Sequence, residues 1–138
     1  MVNTIDMQDI RYLNLFHKIT QVSTRFCFKY NEAIIFCVPQ TKISQAVGEN
    51  GKNVKKMCEI LGKKIKIISN PKSVREAKNF IKDIVNPVMF KDLEIKDDEI
   101  ILTAGSQSKA ALIGRNKRRL SEMKKIVRDF FKREFRIV

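Results

Sequence analysis

A chain of 138 residues with 28 Lys and Arg against 15 Asp and Glu, formal charge +13, argues for a polyanionic partner. Its 43% hydrophobic content is ample for a folded core, and no apolar run approaches the roughly 18–20 residues of a membrane span. The segment Met1-Val2-Asn3-Thr4-Ile5-Asp6 lacks the basic-then-apolar pattern of a signal peptide, so a cytoplasmic protein without membrane association is expected.

Ile5, Ile10, Leu13, Phe16 and Ile19 recur at near-helical spacing, which predicts an amphipathic helix over residues 5–20 with His17 beside its apolar face. Residues 24–30 are rich in β-formers, Asn31-Glu32 makes a turn, and Ala33 to Val38 is an apolar run stopped by Pro39, together a hairpin. A short helix over 42–47 ends at Gly48. A second helix over 52–61 ends at Gly62, and residues 64–68 alternate like a half-exposed strand. Asn70-Pro71-Lys72 marks a boundary, after which Ser73 and Glu76 form a capping box opening a helix through Val85. Beyond Asn86-Pro87, residues 88–96 and 99–103 read as a hairpin around Asp97-Asp98. Helices over 106–113 and 118–132 and a strand over 135–138 complete the chain.

Both halves therefore read α-β-β-α-α-β, and the repeat is visible residue by residue. Gly48 maps onto Gly114, Asn50 onto Asn116, Val54 onto Leu120, Met57 onto Met123 and Ile60 onto Ile126, all 66 positions apart. The same offset carries Ile34-Ile35-Phe36 onto Ile100-Ile101-Leu102. Domains over 1–70 and 71–138 are expected, each near the lower size limit for an independent core. The charge is shared between them: residues 1–69 hold 11 basic and 5 acidic side chains, residues 70–138 hold 17 and 10.

In each half a glycine loop joins the two short helices: Val47-Gly48-Glu49-Asn50-Gly51-Lys52, and Ile113-Gly114-Arg115-Asn116-Lys117-Arg118. A tight turn at a helix N-terminus presents backbone N–H groups suited to a phosphate. The positive charge makes a nucleic-acid phosphate the natural candidate. The second loop adds Arg115, Lys117, Arg118 and Arg119, four cations in five residues, with Lys125 and Arg128 further along the same helix. The bland alternatives are a plain helix-turn-helix connection for the first loop and a solvated basic face for the second.

This pattern resembles the K-homology (KH) domain in its type II arrangement, in which a helix precedes the hairpin. Gly48-Glu49-Asn50-Gly51, flanked by Val47 and Lys52, fills the GxxG signature; the second loop departs from it because Lys117 replaces the last glycine. The resemblance implies an α/β (α+β) protein of two tandem type II KH domains, each a three-stranded sheet covered by helices. It also implies a clamp on about four nucleotides of single-stranded RNA, with bases in an apolar groove beside the loop. Ile43, Val47, Val54, Ile65 and Ile67 would line the groove, and Lys52, Lys55 and Lys56 would hold phosphates. Losing the second glycine costs close backbone approach, which the surrounding cations offset.

Two such units filling the whole chain are similar to the archaeal NusA family of transcription factors. That resemblance implies binding of a nascent transcript and a part in termination or antitermination, and it alone brings in RNA polymerase as a partner. Two linked clamps would bind a longer strand with greater avidity than either alone, and a monomer is expected.

One histidine, no GxSxG, no HExxH and no acid–base pair argue against an enzyme, and no cofactor is implied. The absence of GxxxxGK[ST] excludes a GTPase. Cys27, Cys37 and Cys58 lack CxxC spacing and, with His17, fall on four predicted elements, so free thiols rather than a metal site are expected. The competing reading is a scaffold that docks onto RNA polymerase or a ribosome, for which Phe130, Phe131 and Phe135 are candidate contacts if they are not core. Single-stranded DNA is a third partner class.

Overall fold

The computed structural model describes residues 7–138, so Ile5 of the expected first helix lies outside the described residues. The chain divides into two compact units at the Asn70–Pro71 junction. It is a mixed α/β protein with two separate three-stranded sheets.

In the first unit the order is α1 (Met7–Thr20), β1 (Phe26–Tyr30), β2 (Ala33–Val38), α2 (Ile43–Val47), α3 (Lys52–Leu61) and β3 (Lys64–Ser69). The β1–β2 pair is antiparallel, closed by Asn31 and Glu32, both at positive φ (50° and 64°). Two successive left-handed residues are what a two-residue hairpin needs to match the strands' twist. β3 then lies parallel to β2, Ile34 opposite Ile65, which requires a long crossover. The α2–loop–α3 segment is that crossover, so the sheet's own connectivity puts the glycine loop between two helices packed on one face.

Those helices bury Ala46 and Met57 against Ile34, Phe36 and Val38, with Tyr12 and Phe16 of α1 closing the core. Phe16 stacks on Phe36 with ring centroids 4.4 Å apart. The buried stripe of α1 is Tyr12, Phe16 and Thr20, while Ile10 of the expected face is 47% exposed. Thr20 is tolerable there because its hydroxyl donates to the Phe16 carbonyl at 2.7 Å and accepts the Val22 N–H at 3.1 Å. His17 lies on the exposed side.

The second unit repeats the order as α4 (Ala77–Val85), β4 (Asp92–Ile95), β5 (Glu99–Thr103), α5 (Ser106–Ile113), α6 (Arg118–Phe131) and β6 (Glu134–Ile137). Again the first pair is antiparallel and the second parallel. Phe80 of α4 meets Phe130 and Phe131 of α6 at 4.9 and 5.8 Å between centroids. Phe131 and Phe135 are buried and spent on the core, while Phe130 is half-buried against Phe80.

Several boundaries differ from expectation for identifiable reasons. β1 begins at Phe26 rather than 24 because the Thr24 hydroxyl donates to the Cys37 carbonyl and accepts the Phe26 N–H, replacing ladder bonds. β4 covers four residues instead of nine: its partner ends at Thr103, opposite Asp92, and the Val88 N–H is spent in a turn on the Val85 carbonyl. The capping box is displaced. Ser73 Oγ accepts from Arg75 N–H, and Glu76 reaches back to Lys72 N–H at 2.7 Å, so a 3₁₀ turn at Val74–Glu76 precedes α4.

The repeat also drifts. α6 has 14 residues against 10 in α3, so the constant offset of 66 ends inside the helix. Ile65, paired with Ile34, answers to Phe135, paired with Ile100. Met57 and Met123 are both buried, yet Ile60, in the last turn of the shorter helix, is 54% exposed where Ile126 is buried.

Candidate nucleic-acid interface

α2 ends when Gly48 turns to φ +82°, ψ 165°. That region is essentially open to glycine alone. A side chain would fail twice, because a Cβ on Gly48 would lie 2.9 Å from Asn53 Nδ2. Asn50 follows in the left-handed region (φ 56°, ψ 26°) and Gly51 after it (φ 72°, ψ 21°), and α3 begins at Lys52. The second loop traces the same path: Gly114 at 77°, 171°, Asn116 at 56°, 28° and Lys117 at 59°, 26°. Asparagine is among the few non-glycine residues that enter the left-handed region readily, which gives the matched Asn50 and Asn116 a backbone reason.

The second glycine is a different case. A Cβ on Gly51 would meet nothing within 4 Å, so only the left-handed φ favours glycine there. Lys117 therefore keeps the loop's shape and carries the strain of positive φ, about 1 kcal/mol.

Within each loop some amides are spent and others are free. Gly48 N–H donates to Ser44, Gly51 N–H to Gly48 and Lys52 N–H to Glu49. Gly114 N–H, Lys117 N–H and Arg118 N–H do likewise to Ala110, Gly114 and Arg115. Among the described residues this leaves the N–H groups of Glu49 and Asn50, and of Arg115 and Asn116, without an acceptor. They stand immediately before a helix N-terminus, where consecutive amides favour an anion.

Around the first loop Glu49, Asn50, Lys52, Lys55 and Lys56 are exposed, and Val47, Gly48 and Gly51 are half-buried. Around the second, Arg115, Asn116, Lys117 and Arg118 are exposed, and Gly114 and Arg119 are half-buried. Further along α6 the cations have carboxylate neighbours: Lys125 lies 3.5 Å from Asp129 and Arg128 3.8 Å from Glu134. Of the expected groove, Ile43, Val47 and Val54 are half-buried beside the loop, but Ile65 is 6% exposed and belongs to the core, with Ile67 packed against it.

One pair of contacts was not foreseen from sequence. Asn53 Nδ2 donates to the Gln45 carbonyl at 3.3 Å, and Arg119 Nη1 donates to the Ala111 carbonyl at 2.8 Å. The two bonds occupy matching places in the repeat, each joining the first turn of the second helix to the residue three before the first glycine. The signal available in sequence was the equal spacing, 45 to 53 and 111 to 119. The residue types differ, which hid it.

The other clusters do not make a site. Cys27, Cys37 and Cys58 are free thiols. Burial, with Cys27 nearby, pushes the Cys37 thiol far above its ordinary value, so it stays protonated and unreactive. Among the described residues no group of three or more His, Cys, Asp or Glu is placed to hold a metal ion, and no helix is long and apolar enough to cross a membrane.

The chain is 33% identical over 92 residues to a probable transcription termination protein NusA of Methanococcus vannielii, covering 67% of this chain and 51% of that protein. It is 32% identical over 89 residues to the protein of the same name from Methanocaldococcus jannaschii, covering 64% and 47%. It thus spans about half the length of the curated relatives it matches. No protein-family model matches. The crystal structure of APE1850 shares the fold, with a TM-score of 0.68 at 22% identity over 96% of this chain and 99% of that one. Across the residues it shares with these relatives, the chain is an archaeal NusA-type sequence.

Proposed function

We propose that the chain is a cytoplasmic, monomeric binder of single-stranded RNA, built of two tandem type II KH domains over residues 1–70 and 71–138. We assign it the termination or antitermination role that its relatives' name carries. The observation that carries this reading is the pair of loops with one backbone conformation, each leaving two amides free beside exposed cations. A phosphate of the strand would sit on the amides of Glu49 and Asn50, with Lys52, Lys55 and Lys56 supplying charge and register. In the second unit Arg115, Lys117, Arg118 and Arg119 supply more charge, while Lys117 occupies the space that Gly51 leaves open. Bases would lie against the half-buried Ile43, Val47 and Val54. The alternative, a scaffold docked on RNA polymerase or a ribosome without direct RNA contact, is weakened by the burial of its aromatic candidates Phe131 and Phe135.

The test is fluorescence anisotropy with a short mixed-sequence RNA and its DNA equivalent, at two salt concentrations. Gly51→Asp is tolerable at positive φ and places an anion where the phosphate would lie, so affinity should fall at least about tenfold. Lys117→Asp should weaken binding less. Wild-type affinity in both folded variants would remove the loops from the interface and put the docking reading first; equal affinity for DNA would remove the preference for RNA.

A further inference from the structure

We infer that Asn53 and Arg119 are positioning residues, each a side-chain tie that holds its loop in the conformation presenting the free amides; this rests on the RNA-binding reading of the same loops. The geometry recurs where the chemistry does not. A neutral amide in one unit and a guanidinium in the other each reach back across the turn to the same carbonyl, Gln45 or Ala111. Each side chain also passes beneath the first glycine of its loop. A Cβ there would meet Asn53 Nδ2 at 2.9 Å in the first unit and Arg119 Cγ at 2.8 Å in the second. The first glycine and the tie are thus one device: the missing side chain makes room for the donor, and the donor closes the turn. None of the loop's own backbone bonds, from Gly51 to Gly48 or from Lys117 to Gly114, spans from the second helix to the first. The tie does, so it fixes where the amides of Glu49 and Asn50 stand relative to α2 and its apolar residues. Asn53 therefore acts on the RNA through the loop. Arg119 acts in the same way and adds a fixed positive charge under a loop that has lost its second glycine.

The experiment uses the full chain. The HN–Hα couplings of Asn50 and Asn116, which report φ, are measured without RNA, and anisotropy with a mixed-sequence RNA follows, both at temperatures where melting curves show every variant folded. Asn53→Asp keeps the shape and replaces the donor by an acceptor facing a carbonyl. It should move the Asn50 coupling off its left-handed value and weaken RNA binding about fivefold, the worth of one hydrogen bond. Asn53→Arg installs the second unit's solution and should restore the coupling; Arg119→Asn should preserve that of Asn116, and Arg119→Leu should not. An unmoved Asn50 coupling in Asn53→Asp overturns the inference, whether or not affinity changes. So does a moved coupling with wild-type affinity. If the wild-type chain binds no RNA, the functional reading fails, and the couplings alone decide whether the ties set the loops.

Discussion

The loops at 48–51 and 114–117 share a backbone, its two free amides and an asparagine, and differ in the side chains on either side of that asparagine. Their three special residues agree in φ to within 13° (82° and 77°, 56° and 56°, 72° and 59°). Yet Glu49 faces solvent where the second loop has Arg115, and bare Gly51 is matched by Lys117. The difference teaches which positions of such a turn are structural. The first glycine sits in a region closed to other residues and against a packed side chain. The asparagine sits where few residues are comfortable. The second glycine sits in open space, so selection is free to exchange close approach for charge.

Breaking the loops should rank these positions. Gly114→Ala should be the most damaging, about 3 kcal/mol from forbidden φ/ψ plus a clash with Arg119, since its Cβ would lie 3.1 Å from a backbone nitrogen as well as from the side chain. The atoms nearest a Cβ on Gly48 belong to the side chains of Asn53 and Lys52, with no backbone atom among them, so Gly48→Ala should cost less, about 2 kcal/mol. Thermal melting followed by chemical denaturation of each variant checks the order, and equal losses would refute it. Exchanging the second positions should do less: Gly51→Lys should lose about 1 kcal/mol and Lys117→Gly should gain a few tenths to about 1 kcal/mol from relief of strain at positive φ. A stabilised Gly51→Lys would show that the left-handed strain assigned to Lys117 is absent. The smallest effects are expected from single charges. Arg115→Ala or Lys117→Ala should each lower the salt slope of RNA binding by about one while changing stability by less than about 0.5 kcal/mol; an unchanged slope would place that cation off the strand.

Much of this architecture was legible without coordinates, because it depends on local rules. Apolar spacing, capping residues and glycine or proline stops together located the helices, β-forming runs around polar turns located the hairpins, and Gly48, Gly51 and Gly114 located the loops. The aligned Met57 and Met123 marked the buried side of both second helices. Errors came where a partner decides. A strand can be no longer than the neighbour it pairs with, so β4 stops where Thr103 ends β5. Ile10 and Ile60 are as apolar as Phe16 and Ile126, but only the latter pair has something to pack against within the fold.

At the loops the division is sharper. Sequence by itself determined that two basic helix-turn-helix segments recur in one chain, and that the second lacks a glycine, because residue identity and spacing are all that such a statement requires. Only the tertiary structure decided that the missing glycine is the one with open space around it, and that Asn53 and Arg119 reach matching carbonyls. Both facts depend on which atoms lie beneath a Cβ and how far a donor must reach across a turn, and these distances arise only once the crossover has folded back on its sheet.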